Sequence, residues 1–144
     1  MDKQKVYLSW QWVNDRLEVI GELLEKIGGT EAITRVAGIP RGGLIPAVMF
    51  SHTLGIPYIS YSSAKALPKE ERKKVLVIDD ICDTCLTLKE ATSYDFRTAA
   101  LSTRYGSEIT PTLTGETVNH DRWLVFPWED FNAKTVQDYL VNQK

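Results

Sequence analysis

Val13, Leu17, Ile20 and Leu24 recur at helical spacing within residues 11 to 27, while Asn14, Glu18, Glu22 and Lys26 fill the other positions. This stripe predicts an amphipathic helix, and Gly28 and Gly29 end it. Beyond the glycines the rhythm shortens. Ile33 to Ala37 is a β-branched run expected to form the first strand of a sheet, Leu44 to Leu54 reads as a mostly apolar helix punctuated by Gly55, and Pro57 to Tyr61 reads as another short strand. Lys65 to Lys74 is charged, contains Pro68 and has no apolar rhythm, which predicts a surface loop. Val75 to Ile78 then supplies four aliphatic residues in a row, the signature of a parallel strand covered on both faces. A helix over 86 to 93, a strand over Phe96 to Leu101, a polar stretch from Ser102 to Asn119 and the apolar run Trp123 to Phe126, closed by Pro127, complete the pattern. Val136, Tyr139 and Leu140 mark a terminal helical turn. Alternating strands and helices predict an α/β fold with a mainly parallel central sheet and helices on both faces.

At 144 residues the chain suits one domain over 1–144 with a single substantial core. Lys and Arg number 17 against 19 Asp and Glu, so the net charge of -2 lacks the basic excess expected of a general nucleic-acid binder. No apolar run approaches membrane-spanning length, and no apolar region follows the polar start, Met1 to Lys5; the expectation is a soluble cytoplasmic protein. The only cysteines form Cys82-x-x-Cys85. A redox pair would call for a thioredoxin-like setting, and a metal site would need ligands nearer than His52 and His120. The plainer alternative is two small thiols filling a tight loop in a reduced protein.

The chemistry concentrates where the aliphatic strand ends. Asp79 and Asp80 follow it directly, and Asp83, Thr84 and Thr87 fall on the expected loop and first helical turn, where backbone N–H groups and the helix dipole attract phosphate. Adjacent carboxylates repel an anion unless a divalent cation or sugar hydroxyls stand between them. The ligand consistent with both demands is a phosphorylated, hydroxyl-bearing molecule bound with Mg²⁺. Arg41-Gly42-Gly43 follows the first strand, at the same carboxyl edge of the sheet, where two glycines expose backbone donors and an arginine can grip a diphosphate. The Walker sequence and the dinucleotide Gly-x-Gly-x-x-Gly fingerprint are absent.

Val75 to Leu88 resembles the phosphoribosyl-diphosphate signature of the type I phosphoribosyltransferases, a hydrophobic strand followed by Asp-Asp-x-x-Asp-Thr-Gly-x-Thr. The likeness extends to the small bacterial xanthine-guanine enzymes: Val6 to Leu24 is similar to their start, Val36 to Tyr58 to their Ser-Arg-Gly-Gly-Leu-x-Pro segment and following helix, and Trp123 to Glu129 to their closing Trp-x-x-x-Pro-Trp-Asp. The resemblance implies transfer of a phosphoribosyl group to a 6-oxopurine and a small hood built from the N- and C-terminal segments. It also implies roles. Asp79 and Asp80 would meet the ribose hydroxyls, directly or through Mg²⁺, Asp83 would face N7 of the purine, and Thr84, Cys85 and Thr87 would line the 5′-phosphate. Arg41, Gly42 and Gly43 would meet pyrophosphate, with Asp79, Asp80, Asp83 and Arg41 carrying catalysis. Trp123 matches the residue that stacks on the base, with a core or interface aromatic as the alternative. Leu124 would read the exocyclic group through its backbone, and Arg104 lies near the family lysine that meets the 6-oxo group. The resemblance further implies a homodimer or homotetramer. Cys85 departs from the family at the glycine of Asp-Thr-Gly, and a chain that binds phosphoribosyl diphosphate or nucleotide as a regulator without turnover is the alternative reading that this departure raises.

Overall fold

Alternation along one strand organises the two cores. In the computed structural model, which describes residues 4–83 and 85–130, β3 (Val75–Cys82) sends Leu76 and Ile78 into one apolar cluster and Val75 and Val77 into another on the opposite face. The first cluster takes Val13, Leu17, Ile20 and Leu24 from α1 (Trp10–Lys26) and Phe50 from α2 (Leu44–Leu54). The second takes Ala64 from α3 (Tyr61–Lys65) and Leu88 and Ala91 from α5 (Leu86–Ser93). The expected mainly parallel α/β sheet, covered on both faces, is therefore present.

Around β3 the sheet runs in the order β2 (Arg35–Gly38), β3, β4 (Arg97–Arg104) and β5 (Leu113–Thr114), and β6 (Thr117–Val118) also pairs with β4. Every one of these pairings is parallel, which aligns the carboxyl ends of β2, β3 and β4 along one edge. A separate two-stranded piece joins β1 (Lys5–Tyr7) to β7 (Trp123–Val125) and makes the hood.

Helix ends follow their local signals. The Ser9 hydroxyl accepts from Trp12 N at 3.0 Å and caps α1, while Gly55 closes α2 with a left-handed φ of 68°. Four sequence expectations need correction. β3 does not stop at Ile78 but continues through both aspartates to Cys82, and β4 continues past Leu101 to Arg104. Polar side chains are buried there because they are satisfied: Thr103 Oγ1 lies 2.7 Å from Thr114 Oγ1, and Thr98 Oγ1 accepts from Thr112 N at 3.1 Å. Tyr58 makes only an isolated parallel bridge to Val36, not a strand, and the expected loop at 65–74 contains α4 (Lys69–Arg72). Arg72 replaces the missing apolar anchor, donating to Leu67 O at 2.8 Å and Tyr94 O at 3.1 Å. The turn expected at Val136 to Leu140 lies outside the described residues, among which no helix is long and apolar enough to cross a membrane.

Phe50 is among the largest fully buried side chains and seats α2 against β3 and α1. Phe50→Ala is expected to lower unfolding stability by about 3–5 kcal/mol, read from the denaturant midpoint at constant m-value.

Candidate active site

The turn after β2 is tied to β3 by a hydrogen bond from Ile39 N to Ile78 O at 2.9 Å, and Gly43 N closes it on Ile39 O at 2.8 Å. Its glycines are dictated by proximity. A Cβ on Gly42 would overlap the Asp80 carboxylate, and one on Gly43 would overlap the carbonyl of Ile78. Gly42 is thus brought directly against Asp80, in the same turn as Arg41 and Gly43; the Pro40–Arg41 peptide is cis.

The aspartates partly cap their own strand. Asp79 Oδ1 accepts from Asp80 N at 2.8 Å, Asp80 Oδ1 accepts from Ile81 N at 2.7 Å, and the register with β4 skips Asp80. Thr87, on the first turn of α5, donates from Oγ1 to Asp79 Oδ2 at 3.1 Å and couples the helix to the pair. Burial, and then the neighbouring Asp79 charge, push the Asp80 carboxyl well above the usual carboxylate range.

Asp83 follows β3 and is exposed; Arg104, one step beyond the Cys82↔Thr103 pairing, places Nε 2.9 Å from Asp83 Oδ1. Thr84 lies outside the described residues. Cys85 caps α5 in the left-handed region, at φ 62° and ψ 21°, which is the conformation that a glycine adopts without penalty. The turn packs Cys85 beside Cys82, with Cα atoms 4.8 Å apart and both side chains buried, so the pair fills the tight loop as two small residues.

On β7, alternation sends Leu124 into the core and leaves Trp123 only partly buried, outside both apolar clusters. Trp10, Trp12 and Trp128 are structural: Trp128 stacks on Phe126 at 5.0 Å, and Trp10 and Trp12 flank that pair at 6.0 Å from Trp128 and Phe126. Arg104 donates from its terminal nitrogens to the backbone carbonyls of His120 and, at 2.8 Å, Arg122. One residue was missed. Glu129 accepts from Phe126 N at 2.9 Å, and burial raises its carboxyl, with the Asp80 charge adding to the rise and Arg41 opposing it. Its only signal in the sequence is its place at the acidic end of the Trp-x-x-x-Pro-Trp segment.

No protein-family model matches the chain. A xanthine-guanine phosphoribosyltransferase from Cereibacter sphaeroides is 26% identical over 155 aligned residues, covering 92% of this chain and 91% of the relative. Among solved structures, a purine phosphoribosyltransferase from Pyrococcus horikoshii superposes with a TM-score of 0.71 and 28% identity, over 93% of this chain and 99% of that one. The xanthine-guanine-hypoxanthine phosphoribosyltransferase of Helicobacter pylori shares the fold at a TM-score of 0.68 and 19% identity, over 88% of this chain and 94% of its own. Parallel sheet, hood and paired loops on one edge thus make up a type I phosphoribosyltransferase fold. In sequence the chain is similar to that xanthine-guanine enzyme and to the Pyrococcus purine enzyme, while the likeness to the Helicobacter protein is one of fold.

Two predictions follow from the loop itself. In a background lacking Cys82, Cys85→Gly should exceed Cys85→Ala in stability by about 1 kcal/mol, because only the alanine keeps a Cβ in the left-handed region; equal denaturant midpoints would contradict that backbone assignment. Asp80 supplies the second. Its raised folded value means that its contribution is fully present below the unfolded value of about 3.9 and is lost as pH rises through the folded one. Asp80→Asn should therefore raise the thermal midpoint of the ligand-free protein, by an amount that grows from pH 4.5 to pH 8. A gain that shrinks with rising pH is the contrary result.

Proposed function

We propose that the protein transfers a 5-phosphoribosyl group from phosphoribosyl diphosphate to a 6-oxopurine (guanine, xanthine or hypoxanthine), giving a nucleoside monophosphate and pyrophosphate. The observation that carries this reading is the packing of Gly42 on the Asp80 carboxylate, because it sets a diphosphate-suited turn beside a diol-suited aspartate pair and the start of α5. Asp79 and Asp80 meet the ribose hydroxyls. Backbone at Asp83 to Thr87, with the Thr84 and Thr87 hydroxyls, takes the 5′-phosphate, and Arg41 with the Gly42 and Gly43 backbone takes pyrophosphate. Trp123 stacks on the purine and the Leu124 backbone meets its exocyclic group.

The donor set fits a divalent cation. Asp79 and Asp80 are hard oxygen donors at the end of one strand, the ligand type that suits Mg²⁺. Asp79 and Asp80, together with substrate oxygens, would hold Mg²⁺, which would supply charge neutralisation for the departing pyrophosphate. The protein's own part is positional and electrostatic. A purine nitrogen attacks C1 of the ribose as the bond to pyrophosphate breaks, Arg41 stabilises the leaving charge, and Asp83 accepts or returns a proton at N7. No covalent nucleophile is required, and the Cys82 and Cys85 sulfurs supply none.

Residues 1–144 act as one catalytic domain in the cytoplasm. Ile45 and Val48, exposed on α2, supply an apolar face for a homodimer or homotetramer.

Incubation with phosphoribosyl diphosphate, Mg²⁺ and a panel of guanine, xanthine, hypoxanthine, adenine and uracil should yield nucleotide and pyrophosphate from 6-oxopurines. Product from adenine or uracil alone would overturn the base assignment. Tight Mg²⁺-dependent binding of phosphoribosyl diphosphate without product would instead favour a binding regulator, the reading to which Cys85 in a glycine-type conformation lends support.

A further inference from the structure

Arg104 is the side chain that joins the two halves of this site. It ends β4, pairs in register with Val118 of β6, and stands beside Asp83 at the end of β3. One terminal nitrogen donates to His120 O and the other to Arg122 O, the residue immediately before Trp123. Around the same guanidinium the connection is reinforced: Arg122 N donates to His120 Nδ1 at 3.2 Å, and Ser107 Oγ lies 2.7 Å from Arg104 O and 3.3 Å from Asp83 O. The Nε atom is buried and within ion-pair distance of Asp83, yet its N–H is not directed at an acceptor. A planar fork can hold two carbonyls and a carboxylate at once, whereas a lysine ammonium is a point charge without that geometry.

We infer that Arg104 is a positioning residue that couples the Asp83 loop to the Trp123–Leu124 base platform, rather than a group that reads the 6-oxo edge of the purine. The inference rests on the proposed phosphoribosyl transfer for what the two halves bind, but its geometric content does not. With both terminal nitrogens engaged by backbone carbonyls, the guanidinium sets where the 120–122 turn delivers β7. Its charge keeps Asp83 beside that turn, so the purine's stacking surface and its proton partner are placed by one side chain.

Two arms test this on the full chain, one of them independent of turnover. Amide hydrogen exchange in Arg104→Lys should accelerate together at 85–88 and 120–125, with 75–78 in the β3 core unchanged. Steady-state kinetics of the same variant should show the purine KM raised about tenfold, with the KM for phosphoribosyl diphosphate changed by less than about twofold. Asp83→Asn should accelerate exchange at 120–125 through the loss of its partner, and adding it to Arg104→Lys should accelerate that segment no further. A base-reading role predicts the reverse for Arg104→Lys: the ammonium would retain the purine KM, and exchange would stay at the wild-type rate. Either of those results, acceleration confined to one segment, or equal changes in both KM values would overturn the inference. If the wild-type protein makes no nucleotide from any base, the proposed function fails, while the exchange arm still decides the coupling.

Discussion

Backbone meets carboxylate at Gly42, and no side chain can intervene there. The parallel register of β2 on β3, from Arg35↔Val75 to Gly38↔Ile78, brings both strands to the same edge, and the hydrogen bond from Ile39 N to Ile78 O turns the chain back across it. Gly42 then lies on Asp80 and Gly43 on the Ile78 carbonyl, with no room for a Cβ at either position. Any larger residue would separate the arginine turn from the aspartate pair, and the two would cease to face one ligand. The site's composition follows from this steric limit at least as much as from its charges.

Electrostatics makes the same edge unfavourable without a ligand. Asp79 and Asp80 are adjacent, largely enclosed and mutually repelling, and the pair is made tolerable by backbone N–H donors and the Thr87 hydroxyl. The Asp80 charge also raises the Glu129 carboxyl, with Arg41 opposing it. A site that concentrates negative charge, with a non-glycine residue in the left-handed region at a helix start, carries unfavourable free energy that the two apolar cores must offset. Those cores are well suited to the task, since β3 contributes to both through alternate residues and is covered on each face by helices. The hood is held differently, by the aromatic contacts of Trp12, Phe126 and Trp128 and by the Arg104 guanidinium.

Apolar patterning with glycine stops located α1 and α2, and a continuous aliphatic run located the centre of β3, because such stripes and runs are properties of the chain. The aspartate-threonine cluster and the Arg-Gly-Gly turn were legible for a related reason: unusual polar density at a strand end is visible without coordinates. Strand ends were not, since Ser102, Thr103 and the aspartates are polar and belong to the sheet only through partners distant in sequence, such as Thr114. Pro57 to Tyr61 failed as a strand because its short β-like run gains just one bridge, at Tyr58. Glu129 and the engagement of Arg104 share one cause. Each is a relation between groups that local pattern leaves unspecified, and each became definite only when the fold brought the ends of β3 and β4 together with the 120–129 segment. Residue types and their periods therefore set which elements form and what chemistry they carry, while packing set which donor meets which acceptor, because hydrogen bonds and ion pairs act over a few ångströms and sequence separation does not encode that distance.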